Sequence, residues 1–346
     1  MKKILLVLAV AMIAIGSVAA ADKPLVVVWY PNNSSDDVKA ARQVLDDLIS
    51  KATGRQVVDK LTTDYVIAIE AIATGNAAIC YPGAVGYIQA EMKNPKVVPL
   101  VTNSSPKGTL DDSVYYSRLA VRTADAPKYI ANGAYSIDNI KGKVMSYVSS
   151  SSTSGFMVPS TMIKAYFAKR MAWTADQRVE DLFLQGGSDQ FFSQVIFGQS
   201  HQGSIFNVLS GKAEVCAVDD TDVDRYFDLV SGKANMPGAV YVTKSDAAAP
   251  FDTVPGTSFT VIAGYTVKQA PIVVNMDLVT PAMFKSLRAA FTSDAVANNP
   301  KIFVPKGYVD ESGNVVKGFF SKSEGGKERF LPVDAKWYDS IRAMME

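Results

Sequence analysis

The chain has 346 residues, a formal net charge of +1 and no run of basic residues, which excludes nucleic acid or an anionic membrane surface as its partner. One histidine excludes a multi-histidine metal centre, and two cysteines are too few to build a disulfide scaffold. The length accommodates two domains of ordinary size.

At the amino terminus Lys2 and Lys3 precede an apolar run from Ile4 to Ile15 and the small-residue stretch Ser17-Val18-Ala19-Ala20-Ala21. This order predicts a secretory signal peptide over residues 1–21, too short and wrongly flanked for a spanning helix. Cleavage is expected after Ala21, with Ala20 as second choice, and no cysteine stands there to carry a lipid anchor. No later run is long and apolar enough to span a bilayer, so the expected product is a free periplasmic protein. Losing Lys2 and Lys3 takes its formal charge from +1 to −1.

Leu25 to Tyr30, LVVVWY, predicts a strand buried on both faces. Pro31 to Asp36 supplies a loop and a cap for a helix with the apolar face Val38, Ala41, Val44, Leu45, Leu48 and Ile49, stopped at Gly54. Asp64 is placed to cap a second helix through Thr74, and Ala77 to Cys80 enters a further strand. The pattern reads as βαβαβ, a parallel sheet with crossover helices. Tyr115 to Arg122 is another strand. A second series follows: strand Val144–Val148, a helix after Ser154, strand and turn Phe183–Gly187, helix Gly203–Leu209, strand Ala213–Val218 and a helix from Asp222. Beyond a loop-rich segment, 245–257, come strands Phe259–Tyr265 and Pro271–Leu278, then helices near Pro281–Thr292 and Trp337–Met345.

Two such series predict an α/β fold of two lobes, each a mixed sheet flanked by helices, with a ligand cleft between them where strands end and helices begin. The expected division assigns 22–120 and 268–346 to lobe 1 and 121–267 to lobe 2. Cys80 and Cys216 end the like phrases GNAAIC and GKAEVC. Small buried apolar cysteines are the plainer reading; a disulfide or soft-metal pair is the alternative.

Six of the fourteen residues of SYVSSSSTSGFMVP, Ser146 to Pro159, are serines, and an amphipathic helical pattern follows. A helix start has unpaired N–H groups and about half a unit of positive charge. Hydroxyls at Ser152, Thr153 and Ser154 around that start, with Gly155 leaving room for close approach, suit a tetrahedral oxyanion. One serine suffices to cap the helix, so capping alone is the competing reading.

The segment STSGFMVP resembles the STSG signature of periplasmic phosphonate-binding proteins, the solute receptors of phosphonate and phosphite ABC importers. TTDYVIAIEAIATGNAAICYPG (62–83), VYYSRLAVR (114–122) and HQGSIFNVLSGKAEVCAVDDT (201–221) are similar to further family segments in the same order. The resemblance implies a type II-like two-lobed binding protein, a membrane ABC permease as partner, no cofactor, no metal and no enzymatic activity. It implies oxyanion contacts from Ser152, Thr153, Ser154, Tyr65, Tyr115 and His201, with Tyr65 and Tyr115 reaching from lobe 1. A bound dianion is expected to favour the charged form of His201, so that affinity falls at high pH. An acidic residue that holds an ammonium tail in relatives corresponds to Asp222 or Asp220.

Three departures bear on the ligand. Ser149-Ser150-Ser151 replaces a D-P-x segment, Tyr81-Pro82-Gly83 changes the wall near a ligand tail, and Ala270 stands where the second acidic residue is expected. The expected ligand is therefore phosphite, a small alkyl phosphonate, phosphate or a related oxyanion, with a Cys80-dependent metalloid as a minor alternative. A co-receptor for a membrane sensor kinase is the second reading, and a phosphoesterase using a Ser154–His201 dyad the third. No G-x-S-x-G elbow, phosphate loop or calcium loop is present; Asp310 to Gly318 reads as a hairpin turn.

Overall fold

Unbroken apolar runs make the central strands. In this computed structural model, which describes residues 23–33, 38–168, 170, 186–187, 190–311, 313, 315–316 and 318–346, β1 (Leu25–Trp29) opens the chain with four of its five residues buried. Helix α1 (Lys39–Thr53) follows and ends at Gly54, whose φ of 70° is the left-handed conformation that glycine adopts without strain. Next come β2 (Val57–Leu61), α2 (Tyr65–Ala73), β3 (Ile79–Cys80), α3 (Ala84–Lys93) and β4 (Val97–Asn103). Asp64 caps α2, accepting the Val66 N–H at 2.7 Å. The expected signal peptide, Asp36 and most of Phe183–Gly187 lie outside the described residues.

The chain then crosses over. β5 (Val114–Arg122) leads to a short hairpin, β6 (Ile130–Ala131) and β7 (Ala134–Tyr135), then to β8 (Val144–Tyr147). A wide turn, Thr153–Met157, opens α4 (Val158–Ala168). β9 (Gln194–Phe197), α5 (His201–Leu209), β10 (Val215–Asp219), β11 (Phe227–Ser231), β12 (Val240–Thr243) and β13 (Ser258–Lys268) follow. The chain returns through β14 (Pro271–Asn275), α6 (Pro281–Phe291), α7 (Asp294–Ala297), β15 (Phe303–Pro305), β16 (Phe320–Lys322), β17 (Phe330–Pro332) and α8 (Asp339–Met345).

The strands build two large mixed sheets, ordered β2-β1-β3-β14-β4-β17 and β9-β8-β10-β5-β13-β12-β11. The two orders share one plan. Three parallel strands are followed by a strand that runs against both its neighbours, β14 in one sheet and β5 in the other. That fourth strand is in each case the chain arriving from the other lobe. Apolar clusters fill both faces of each sheet.

Three sequence expectations change. β5 pairs with β13 along its whole length and with β10 from Ser117 to Ala120, so the first crossing is 104–113, ahead of the expected boundary at 120. The helix expected from Asp222 is a turn over 221–225 followed by β11, with the Asp219 carboxylate accepting the Thr221 hydroxyl at 2.7 Å and the Asp222 N–H at 3.2 Å. That bond caps a single helical turn, Asp224 N–H to the Asp220 carbonyl at 2.9 Å, after which the chain passes into β11. Gly155 does not face the cleft; a Cβ there would meet Val148 and the Ser152 cap, so this glycine serves packing.

Cys80 and Cys216 are buried free thiols in separate sheets, which overturns the disulfide alternative. They hold equivalent places, Cys80 opposite Val28 and Cys216 opposite Ser146, on the third strand of each shared plan. Among the described residues no helix is long and apolar enough to cross a membrane.

Candidate functional site

Four helix starts converge on one cavity of about 60 Å³ between the lobes. Lobe 1 supplies Tyr30 and Asn32 after β1, Tyr65 as the first residue of α2, and Tyr81 to Gly83 between β3 and α3. Lobe 2 supplies Ser152, Thr153 and Ser154 at the turn into α4, and His201 as the first residue of α5. Asp219, Asp222 and Arg225 come from the end of β10 and its turn, and Gln269 and Ala270 from the second crossing. The parallel strands of both sheets end at this cavity. Each helix start adds partial positive charge there.

The hydroxyls are oriented as donors. Ser152 Oγ accepts the Gly155 N–H at 3.0 Å, Thr153 Oγ1 accepts the Val85 N–H at 2.9 Å, and Tyr65 Oη accepts from Asn32 Nδ2 at 2.7 Å. A hydroxyl that accepts in this way keeps its own proton to give. The Ser152 bond is the helix cap. The Thr153 bond crosses from lobe 2 to the start of α3 in lobe 1. Asn32 makes two more crossings, accepting the His201 N–H at 3.1 Å on its side chain and Gln202 Nε2 at 3.1 Å on its carbonyl. The lobes are therefore held together through the residues that line the cavity.

His201 departs from expectation in two ways. Its backbone N–H is taken by Asn32, so its contribution to the cavity is the imidazole. Nδ1 accepts the Asp219 N–H at 2.9 Å, and a backbone N–H can only donate, so Nε2 carries the proton. Burial pushes the imidazole down to about 4, leaving it neutral. The charged form expected with a bound dianion would set Nδ1–H against the Asp219 N–H unless that contact changes on binding. The same tautomer removes the dyad: Nε2, 3.5 Å from Ser154 Oγ, has no lone pair to take a proton from that hydroxyl.

Tyr115 also lines the cavity, but from β5, hence from the seven-stranded sheet and not from lobe 1 as expected. Asp222 lines it as well, and Asp220 does not. The Asp220 carboxylate accepts the Tyr116 N–H at 2.9 Å and Asn235 Nδ2 at 3.0 Å, beside buried Arg118, which grips Asp224 through two bonds of 2.7 and 2.9 Å. Asp220 is thus part of a structural clamp. Cys80 is buried in the sheet away from this cavity, which removes the metalloid alternative its thiol suggested.

Arg225 is a cavity residue that no motif in the sequence marks. Its guanidinium bonds Asp222 at 2.9 Å and lies 5.8 Å from the centre of the Phe319 ring. Arg225 Nη1 and Tyr30 Oη are buried at the cavity with no hydrogen-bond partner among the described residues. Native proteins rarely leave such groups unpaired. Burial and Asp219 push the Asp222 carboxyl up to about 6, while burial and Asp220 push Asp219 up to about 7. His201, Asp219 and Asp222 lie within 4.8 Å of one another. With Arg225 on Asp222 and a backbone N–H on Nδ1, this cluster is a wall of paired groups.

These shifts set the pH dependence of folding. Asp219, Asp222 and Asp46, the last pushed up to about 7 by burial and Asp59, hold protons in the folded state that the unfolded chain releases. Stability from them is lost as pH rises toward 7. His201 opposes this, costing stability as pH falls below its unfolded value toward 4. Asp46 sits on α1 outside the cleft, so its share persists whether or not the lobes meet, and the melting temperature of the ligand-free protein is expected to rise between about pH 7.5 and pH 5.5. A fall over that interval, followed by scanning calorimetry, contradicts these assignments.

A Cβ at Gly83 would stand 2.8 Å from Thr153 Oγ1, across the lobe contact. Gly83→Ala is expected to weaken ligand binding about tenfold or more while leaving the ligand-free melting temperature unchanged, because the clash exists only when the lobes meet. Calorimetric titration beside a thermal melt separates the two effects.

Two mixed sheets of one plan, joined by two crossings around a donor-lined cavity, define a two-lobed periplasmic-binding-protein fold. The chain belongs to the family of ABC transporter, phosphonate, periplasmic substrate-binding proteins, which it matches over residues 27–338. It is 24% identical over 316 residues to the phosphate-import protein PhnD of Mycolicibacterium smegmatis, covering 90% of this chain and 82% of that one. Its fold is similar to that of PhnD1 from Prochlorococcus marinus in complex with methylphosphonate (TM-score 0.61, 17% identity, 93% of this chain and 97% of that one). A binding-protein component of an ABC phosphonate transporter from Pseudomonas aeruginosa is similar at TM-score 0.62 and 16% identity, over 94% and 86% of the two chains.

Proposed function

We propose that this periplasmic receptor captures phosphate, phosphite or methylphosphonate between its lobes and delivers it to a membrane ABC permease. The observation that carries this reading is the cavity itself. About 60 Å³ corresponds to roughly four to six waters, the size of a tetrahedral anion of five heavy atoms. Ser152, Thr153, Ser154, Tyr65, Tyr115, His201 Nε2 and Arg225 Nη1 give donors on several sides. Charge-assisted bonds contribute about 1.5–3 kcal/mol each, enough to offset desolvation of the anion. Aromatic walls at Tyr30, Tyr81 and Phe319 leave little room for a longer substituent such as an aminoethyl group. The exported protein begins after Ala21 in this reading, and lobe closure acts by population shift, since only the closed form contacts the ligand from both sides.

A thermal-shift screen of the mature protein against phosphate, phosphite, methylphosphonate, aminoethylphosphonate and arsenite tests this. Stabilisation of about 2.7 kcal/mol is expected at a hundredfold excess of ligand over its dissociation constant. The first three compounds should stabilise and the last two should not. No response to any of the first three removes the reading.

A further inference from the structure

Nearly every polar group on the cavity wall is a donor: the hydroxyls of Ser152, Thr153, Ser154, Tyr65 and Tyr115, His201 Nε2 and Arg225 Nη1. Asp219 and Asp222 break the pattern; the Asp219 oxygens are taken by the Thr221 hydroxyl and the Asp222 N–H, which leaves Asp222. Its side chain is 12% exposed, it lines the same cavity, and an ionised carboxylate only accepts. Arg225 fixes it at 2.9 Å. A carboxylate facing a bound oxyanion repels it unless one proton stands between them. A neutral donor at this position would have served any anion equally well.

We infer that Asp222 is a specificity residue which accepts the acidic O–H of the ligand, so that the site selects oxyanions that retain a proton near neutrality and rejects fully ionised ones of the same shape. Phosphate, phosphite and methylphosphonate monoanions carry such a proton; sulfate and sulfonates do not. A sulfonate can enter only if Asp222 itself takes a proton from solvent. The groups facing the carboxylate are Asp219, Arg225, His201, Tyr65, Tyr81 and the Asn32 amide. Asp219 favours protonation of Asp222, while Arg225 and the Asn32 amide oppose it, and the neutral His201 carries no charge to do either. This inference rests on the oxyanion reading and deepens it.

Methylphosphonate and methanesulfonate make the test, because their monoanions match in charge and nearly in shape and differ by one proton. In the unaltered protein at pH 7, methylphosphonate should bind at least about tenfold more tightly by calorimetric titration, the cost of protonating a carboxyl held near 6. Methanesulfonate affinity should rise as pH is lowered from 8 toward 6, by up to about tenfold per unit. In Asp222→Asn, whose amide can donate, the preference should shrink below about threefold, a difference of less than 1 kcal/mol. Equal binding of the two monoanions by the unaltered protein overturns the inference and leaves the oxyanion reading standing. An undiminished preference in a folded Asp222→Asn chain overturns the role of this residue. Should methylphosphonate, phosphite and phosphate all fail to bind, the oxyanion reading falls and this inference with it. The unaltered protein alone decides the matter if the variant does not fold.

Discussion

Thr153→Val is expected to lower affinity for the bound oxyanion by about 3 kcal/mol or more, roughly 150-fold, without lowering the ligand-free melting temperature. Valine keeps the shape and removes the hydroxyl. One charge-assisted donor to the ligand is lost, worth about 1.5–3 kcal/mol, and the Val85 N–H that Thr153 accepts at 2.9 Å is stranded. A stranded buried donor costs a further 1–3 kcal/mol, roughly. That second cost arises only when the lobes meet, since the start of α3 is open to water when they part. It therefore belongs to binding and not to folding. Titration calorimetry with phosphate or methylphosphonate reads the first quantity and a ligand-free melt the second. A loss under tenfold, or a matching drop in ligand-free stability, contradicts this account of Thr153.

Arg225→Met is expected to destabilise the closed, phosphate-saturated protein by about 3 kcal/mol at pH 7, because removing one partner of an ion pair buried by lobe closure leaves the other charge uncompensated. Arg225 and Asp222 are 9% and 12% exposed, and their contact is 2.9 Å. Without the guanidinium the Asp222 carboxyl, already raised to about 6, rises further above its unfolded value. Stability is then lost as pH climbs and regained as pH falls, so the deficit should be smaller at pH 5 than at pH 7. Urea denaturation at both values, in saturating phosphate, measures it. Adding Asp222→Asn to the same chain should recover most of the loss, which identifies the stranded charge as the cause. A deficit below about 1 kcal/mol at pH 7 means the pair is not what holds this wall together.

Much of the architecture was legible in local pattern. Leu25 to Tyr30 could only be a buried strand, Gly54 and Asp64 marked helix ends that the backbone uses, and Thr280 with Pro281 opens α6 as helix starts commonly do. Two features misled. The segment after Asp222 reads as helical, yet it makes one turn and passes into β11, whose partner is β12. β5 reads as the end of the first lobe until its partners, β10 and β13, are known. Pairing partners that are distant in sequence leave no local mark on either strand.

The same division holds within the site. Serines and a threonine at a helix start announce an anion from composition alone, since unpaired N–H groups and hydroxyl donors are properties of a few adjacent residues. Arg225 has no such signature. It becomes a cavity residue only because the turn after β10 carries it beside Asp222 and toward Phe319, which lies 94 positions further along the chain. The protonation of His201 is likewise a tertiary fact, fixed by one N–H from Asp219, 18 residues away. The sequence by itself determined the two α/β series, the order of their elements and the donor-rich helix start, because each depends on short-range periodicity and capping. Only the tertiary structure decided which tyrosine, which aspartate and which form of the imidazole line the cavity, because burial and charge at a site are set by every segment that packs there.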